Sequence, residues 1–388
     1  MGGFSRSRLR RMREVMAGYV ESGFAPGIVT LLNRHGETHV ETMGKMAFEG
    51  EAPMARDTIF RIASLSKPVT AVAAMILVEE CRLRLDDPVD ALLPELADRK
   101  VLKSPTGSLD DTVPAEKPIT LRHLLTLTMG LGYLMQAGEF PIMAAANERG
   151  LLLGPPHPAS APTPDEWIAK VGELPLMFQP GERWQYDIGI DVLGVLIARA
   201  AGQPLETFMK ERIFEPLGMV DTGFYVPEEK IDRLVTSYSD GKVYDAAEGG
   251  EWSRPPKLAI ASGGLVSTAD DYLLFARMML EGGGAILSRP TVETMTIPQI
   301  SDAQHADNEM FFGNNRTWGF GMGVFTKRDE PSANPGRFGW DGGLGTSCYM
   351  DPKEDLVAML LTQQSWESPE GPAVWSDFWT LTYASLAD

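Results

Sequence analysis

The chain has 388 residues, 44% of them hydrophobic and 23% charged, which is enough apolar content for a sizeable core without staples. A formal net charge of −18 at pH 7 repels nucleic-acid phosphates and anionic lipid head groups, so polyanionic partners are excluded from the expectation. Two cysteines, Cys81 and Cys348, make no disulfide framework, and five scattered histidines (His35, His39, His123, His157 and His305) show no metal-ligand spacing. The expectation is a cytoplasmic protein with no metal and no cofactor.

Residues 5–22 carry several arginines on a thin amphipathic pattern, and no apolar stretch of signal-peptide length follows them. They read as a helix laid on a sheet. Residues 27–44 alternate in strand fashion around His35-Gly36 and predict an antiparallel hairpin. Helical patterns follow at 66–81, 120–128, 164–172, 189–201 and 204–213, interrupted by Pro- and Gly-rich segments such as 154–164. Residues 336–363 give two further strand-like runs around Asp351-Pro352, and 370–386 gives a last helix. No apolar run approaches the ~18 residues of a membrane-spanning helix, so no membrane partner is expected. With strands and a helix at each end, the simplest packing places both terminal helices on one antiparallel sheet. Residues 1–65 and 220–388 then form a discontinuous α/β domain, and 66–219 a mainly helical domain. Ligand sites commonly lie in the cleft between two such lobes.

Ser64 and Lys67 stand at the start of the apolar helical stretch, with Pro68 suited to its first turn. The i, i+3 spacing puts both side chains on one face, so an amine is in place to take or relay a hydroxyl proton without histidine. A Ser-x-x-Lys tetrad arises on the order of once by chance in a chain of this length. Ser239-Asp-Gly-Lys242 also fits the pattern but opens no apolar helix, and the Ser66 side chain points elsewhere. A Ser-His-Asp triad on a Gly-x-Ser-x-Gly elbow is the competing route, and no such pentapeptide occurs.

Beyond Ser64-Leu-Ser-Lys67, the segments at 26–37, 119–131, 178–224, 261–283 and 338–352 resemble the serine β-lactamase and penicillin-binding superfamily. The likeness is specifically to its class C-like carboxylesterases, often called family VIII esterases. The resemblance covers nearly the whole chain and implies the β-lactamase/transpeptidase-like α+β fold. It assigns Ser64 as nucleophile, Lys67 and Tyr186 as proton relay, and the backbone N–H groups of Ser64 and Gly343 as oxyanion hole. Either Lys67 or Tyr186 could be the base, since the two titrate as a pair. Ile188 stands where lactamases carry an asparagine that holds the substrate amide, and Trp340-Asp341-Gly342 stands where they carry Lys-Thr-Gly. The resemblance makes Trp340 a substrate-wall residue, with Asp341, Gly342 and Ile188 beside it. Leu127-Thr128-Met129-Gly130 replaces a more polar floor. These departures favour a small neutral ester as substrate over a penicillin. A β-lactamase, a D-Ala-D-Ala carboxypeptidase, an acyltransferase, a linear-amide hydrolase and a non-catalytic ligand sensor are the alternatives. The sensor predicts loss of the serine, lysine or tyrosine, and all three are present.

Overall fold

A computed structural model describes residues 3–133, 139–306, 308–366 and 371–387. In chain order the elements that position the site are α1 (Arg6–Glu21), β1 (Gly27–Arg34), β2 (Glu37–Gly44), α2 (Ser66–Glu79), α3 (Ile188–Ala201) and α4 (Ala269–Leu280). They continue with β3 (Arg316–Trp318), β4 (Gly323–Phe325), β5 (Phe338–Gly342), β6 (Thr346–Asp351), β7 (Leu356–Thr362) and α5 (Ala373–Ala384).

The seven strands form one antiparallel sheet in the order β2-β1-β7-β6-β5-β4-β3. Pairing of β1 with β7, from Ile28 opposite Thr362 to Arg34 opposite Leu356, joins the two chain ends. Strand alternation sorts the apolar residues onto two faces. Ile28, Leu32, Ala358 and Leu360 pack with Met12 and Met16 of α1 and Phe378 and Trp379 of α5, so the terminal helices cover one face as expected. Val29, Leu31, Val357, Met359 and Leu361 face the main core on the other side, where α4 crosses β1, β6 and β7. Helices α2 and α3 are buried almost all round and pack against each other in the helical part between the sheet's two sequence segments.

Some expected elements differ from those observed. The strand pattern over 336–363 contains three strands rather than two, because the chain reverses between β5 and β6. Gly345 makes that turn with φ +100°, where a Cβ would lie 2.3 Å from Thr362 Oγ1. The helix expected over 120–128 stops at Leu125, since Leu127 adopts φ +56° and its carbonyl accepts from the Gln185 amide at 2.8 Å. The first residue of the expected 370–386 helix lies outside the described residues. Among the described residues no single helix is long and apolar enough to cross a membrane, and no group of three His, Cys, Asp or Glu could hold a metal ion.

Candidate active site

Ser64 lies in the tight turn Ala63–Leu65 that leads into α2. Ala63 takes φ +46°, a conformation costly for a residue with a Cβ and held only where the surroundings over-determine it. Those surroundings are visible. Tyr272 Oη donates to Leu65 O at 2.9 Å, Ser66 Oγ donates to Ala63 O at 2.7 Å and accepts from the Leu265 amide, and Thr346 Oγ1 donates to Ile62 O at 3.0 Å. A Cβ on residue 342 would meet Thr346 Oγ1 at 2.2 Å and Ile62 O at 2.5 Å. The end of β5 thus presses against the serine turn, and Gly342 serves this close approach.

Lys67, fully buried, donates from Nζ to Ser64 Oγ at 2.9 Å, to Asp187 Oδ1 at 2.5 Å and to Ser262 O at 2.9 Å. Its ammonium also lies 4.3 Å from the Tyr186 ring centroid. Burial works against the charged form of Lys67. Asp187, Tyr186 and Asp191 outweigh it, and the net displacement of its pKa is upward. Asp191, one helical turn into α3, accepts from both the amide and the hydroxyl of Ser262 at 2.9 Å.

Burial, and then repulsion from Asp187, push the Asp191 carboxyl up to about 7. A carboxyl with a raised folded-state pKa contributes stability that is fully present below the unfolded value and lost as pH rises through the folded one. The melting temperature is therefore expected to fall by a few degrees between about pH 5 and about pH 8, and Asp191→Asn to flatten that slope. Calorimetry of both proteins across this range checks the assignment, and parallel slopes would refute it.

Tyr186 precedes α3 and is carried by backbone contacts to two distant segments: the Tyr133 amide donates to Tyr186 O at 2.9 Å, and the Gln185 amide to Leu127 O. Its ring packs between Phe311, at 4.8 Å, and Trp184, at 5.6 Å. The Trp340 indole N–H donates to Tyr186 Oη at 2.8 Å. Burial pushes the phenol pKa up; the Lys67 ammonium opposes this, Asp187 adds to it, and hydrogen bonds with Ser64 and Trp340 oppose it again.

Ser64, Tyr186, Asp187 and Gly343 line one cavity of about 360 Å³, closed by Leu153, Pro155, Pro156, Leu344, Tyr133, Tyr244 and Trp366. The sequence-derived nucleophile, relay and oxyanion residues therefore meet around one space, with Lys67 directly behind Ser64. The other expected site residues stand elsewhere. Trp340 is 3% exposed, packs edge-on against Trp318, and stands behind Tyr186 rather than in the cavity wall. Asp341 points to the opposite face of the sheet, where it accepts from Ser347 Oγ and Tyr349 Oη. Ile188 is buried in the core. Of the rival serines, Ser66 is buried and occupied by backbone partners, while Ser239 lines the cavity but its Lys242 is exposed. Cys348 is a buried thiol whose pKa is driven up by burial, and Cys81 is exposed.

Asp187 was not legible from spacing, although a buried lysine requires a counter-charge and the acid adjoins Tyr186 in sequence. It takes φ +82° and ψ −75°, a strained turn conformation at the start of α3.

A family model described as beta-lactamase matches residues 12–375. Protein Rv1367c of Mycobacterium tuberculosis is 37% identical over 358 residues, 88% of this chain and 87% of the relative. Esterase EstB of Burkholderia gladioli is 32% identical over 378 residues, 89% of this chain and 88% of its own. A solved structure described as EstCE1, a hydrolase with promiscuous acyltransferase activity, matches with a TM-score of 0.80 at 27% identity, covering 97% of this chain and 99% of that one.

Proposed function

The chain belongs to the beta-lactamase family and is a serine hydrolase; from that premise we propose that it hydrolyses neutral, short-chain carboxylic esters through an acyl-enzyme on Ser64. The observation that carries this reading is the Lys67 Nζ–Ser64 Oγ contact of 2.9 Å at the edge of an apolar cavity. Ser64 Oγ attacks the ester carbonyl carbon as its proton passes to the Lys67/Tyr186 pair, and the carbonyl electron pair moves onto oxygen. Backbone N–H groups of Ser64 and Gly343 receive that oxyanion. Collapse expels the alcohol, which takes the proton from the same pair. Water then adds to the acyl carbon, the acid leaves, and Ser64 regains its proton.

Among the described residues that line the cavity none is cationic, and the one ionisable carboxylate is that of Asp187. A penicillin carboxylate finds no free positive partner there, because the Lys67 ammonium is already paired with Asp187. Benzylpenicillin turnover is accordingly expected to be lower than that of p-nitrophenyl butyrate by about 10²-fold or more in kcat/KM. Parallel assays with benzylpenicillin, nitrocefin and p-nitrophenyl esters of graded acyl length test this, and comparable rates on penicillin and ester would refute it.

Transfer to an alcohol in place of water is the second reading, favoured by the description of EstCE1. Methyl ester formed when methanol is added to the butyrate assay would reveal it.

A further inference from the structure

Asp187 has no part in the steps above, yet its carboxylate makes the shortest polar contact of Lys67, 2.5 Å from Nζ. It is nearly buried, at 9% side-chain exposure, and the remaining exposure opens onto the cavity that Ser64 lines. A non-glycine residue at φ +82° and ψ −75° is costly to hold, and here the conformation delivers a carboxylate to a catalytic amine. Three contacts then fix the amine: Asp187 on one side, the Ser262 carbonyl on another and Ser64 Oγ on the third, with the Tyr186 ring 4.3 Å away.

Resting on the esterase reading, we propose that Asp187 is a positioning residue: it anchors the Lys67 ammonium between Ser64 and Tyr186 and makes the site hold the proton that it must lose before Ser64 can attack. The argument is electrostatic. To activate Ser64, either Lys67 or Tyr186 must be deprotonated, and a carboxylate beside both opposes removal of a proton from either one. The other charged or titratable groups facing the amine are Asp191, from α3, and Tyr186 itself, while Tyr133 lies near Asp187 across the cavity. Asp191 acts in the same sense as Asp187 but has no direct bond to Nζ. Asp187 therefore displaces ester hydrolysis toward alkaline pH, whichever member of the pair is the base.

The test is the pH dependence of kcat/KM for p-nitrophenyl butyrate from about pH 6 to about pH 10 in the wild type, Asp187→Asn and Asp187→Gly. Asparagine keeps the size of the side chain; glycine accepts the positive φ without it. The acid limb is expected to move to lower pH by about one unit or more in both variants, whatever happens to the maximal rate. A residue of merely structural importance would lower the rate and leave the limb where it is, and an unmoved limb in the folded variants overturns the proposal. Failure of both variants to fold also overturns it, because Asp187 would then be a stability residue. The rate at which a fluorophosphonate modifies Ser64 is followed across the same pH range. If the wild type is labelled at Ser64 but hydrolyses no ester, the functional reading fails, while the labelling profiles still decide the role of Asp187.

Discussion

Replacing Ser64 with alanine is expected to lower kcat/KM for p-nitrophenyl butyrate by about 10³-fold or more while the melting temperature stays close to that of the wild type. The turn is held by Tyr272, Ser66 and Thr346, none of which bonds the Ser64 hydroxyl, so the side chain can be removed without loosening its support. What is lost in structure is one acceptor of Lys67, whose ammonium keeps Asp187 and the Ser262 carbonyl, and the hydrogen bond between Ser64 and Tyr186, whose hydroxyl keeps the Trp340 indole. Steady-state kinetics and a thermal melt on the same preparation check both halves. Retention of more than about 5% of the activity would move the nucleophile elsewhere.

The second large effect concerns the relay. Tyr186→Phe keeps the ring between Phe311 and Trp184 but removes the acceptor of the Trp340 indole, so a stability loss of about 1–3 kcal/mol is expected alongside a rate loss of about 10²-fold or more. The decisive substrate is an alkyl ester such as methyl butyrate, whose alkoxide must be protonated as it leaves. Normal turnover of that ester by the Phe variant would remove Tyr186 from the mechanism.

Lys67→Met is expected to be at least as inactive, and its stability tests the structure. Seen in the sequence alone, the change removes a lone buried charge and leaves the fold unharmed or better. With Asp187 at 2.5 Å, it instead leaves a nearly buried carboxylate without its cation, at a cost of about 3–5 kcal/mol. The double variant Lys67→Met/Asp187→Asn should recover most of that loss. A single variant as stable as the wild type would mean that the ion pair contributes nothing.

The residues legible in the sequence are those whose chemistry depends on local geometry. Ser64 and Lys67 share a helix face because they are three residues apart, and the terminal strands and helices declare themselves by periods of two and 3.6. Tyr186 and Gly343 came from the resemblance rather than from any pattern of their own. What stayed hidden depends on which distant segment packs where. Strand alternation puts Trp340 and Asp341 on opposite faces of β5, but only the arrival of Trp318 and Phe311 makes the first a support for Tyr186 instead of a substrate wall. Ile188 likewise turns into the core, so the loss of an asparagine there removes a polar group without adding an apolar one to the cavity.

The start of α4 carries a local signal of its own. Thr268, with Asp270 and Asp271 behind it, is a helix-start pattern ahead of Tyr272-Leu-Leu-Phe275, and the Asp271 amide does donate to Thr268 Oγ1 at the start of α4. β3 and β4 span three residues each, too short for an alternation to show.

The central claim, that Ser64 is the group acylated, is tested most directly by peptide mass spectrometry after treatment with a fluorophosphonate, with and without excess p-nitrophenyl butyrate. A single phosphonyl adduct on the peptide containing Ser64, suppressed by the ester and absent from Ser64→Ala, is the predicted result. An adduct on Ser239 or Ser66, or one on Ser64 that the ester does not suppress, would contradict it.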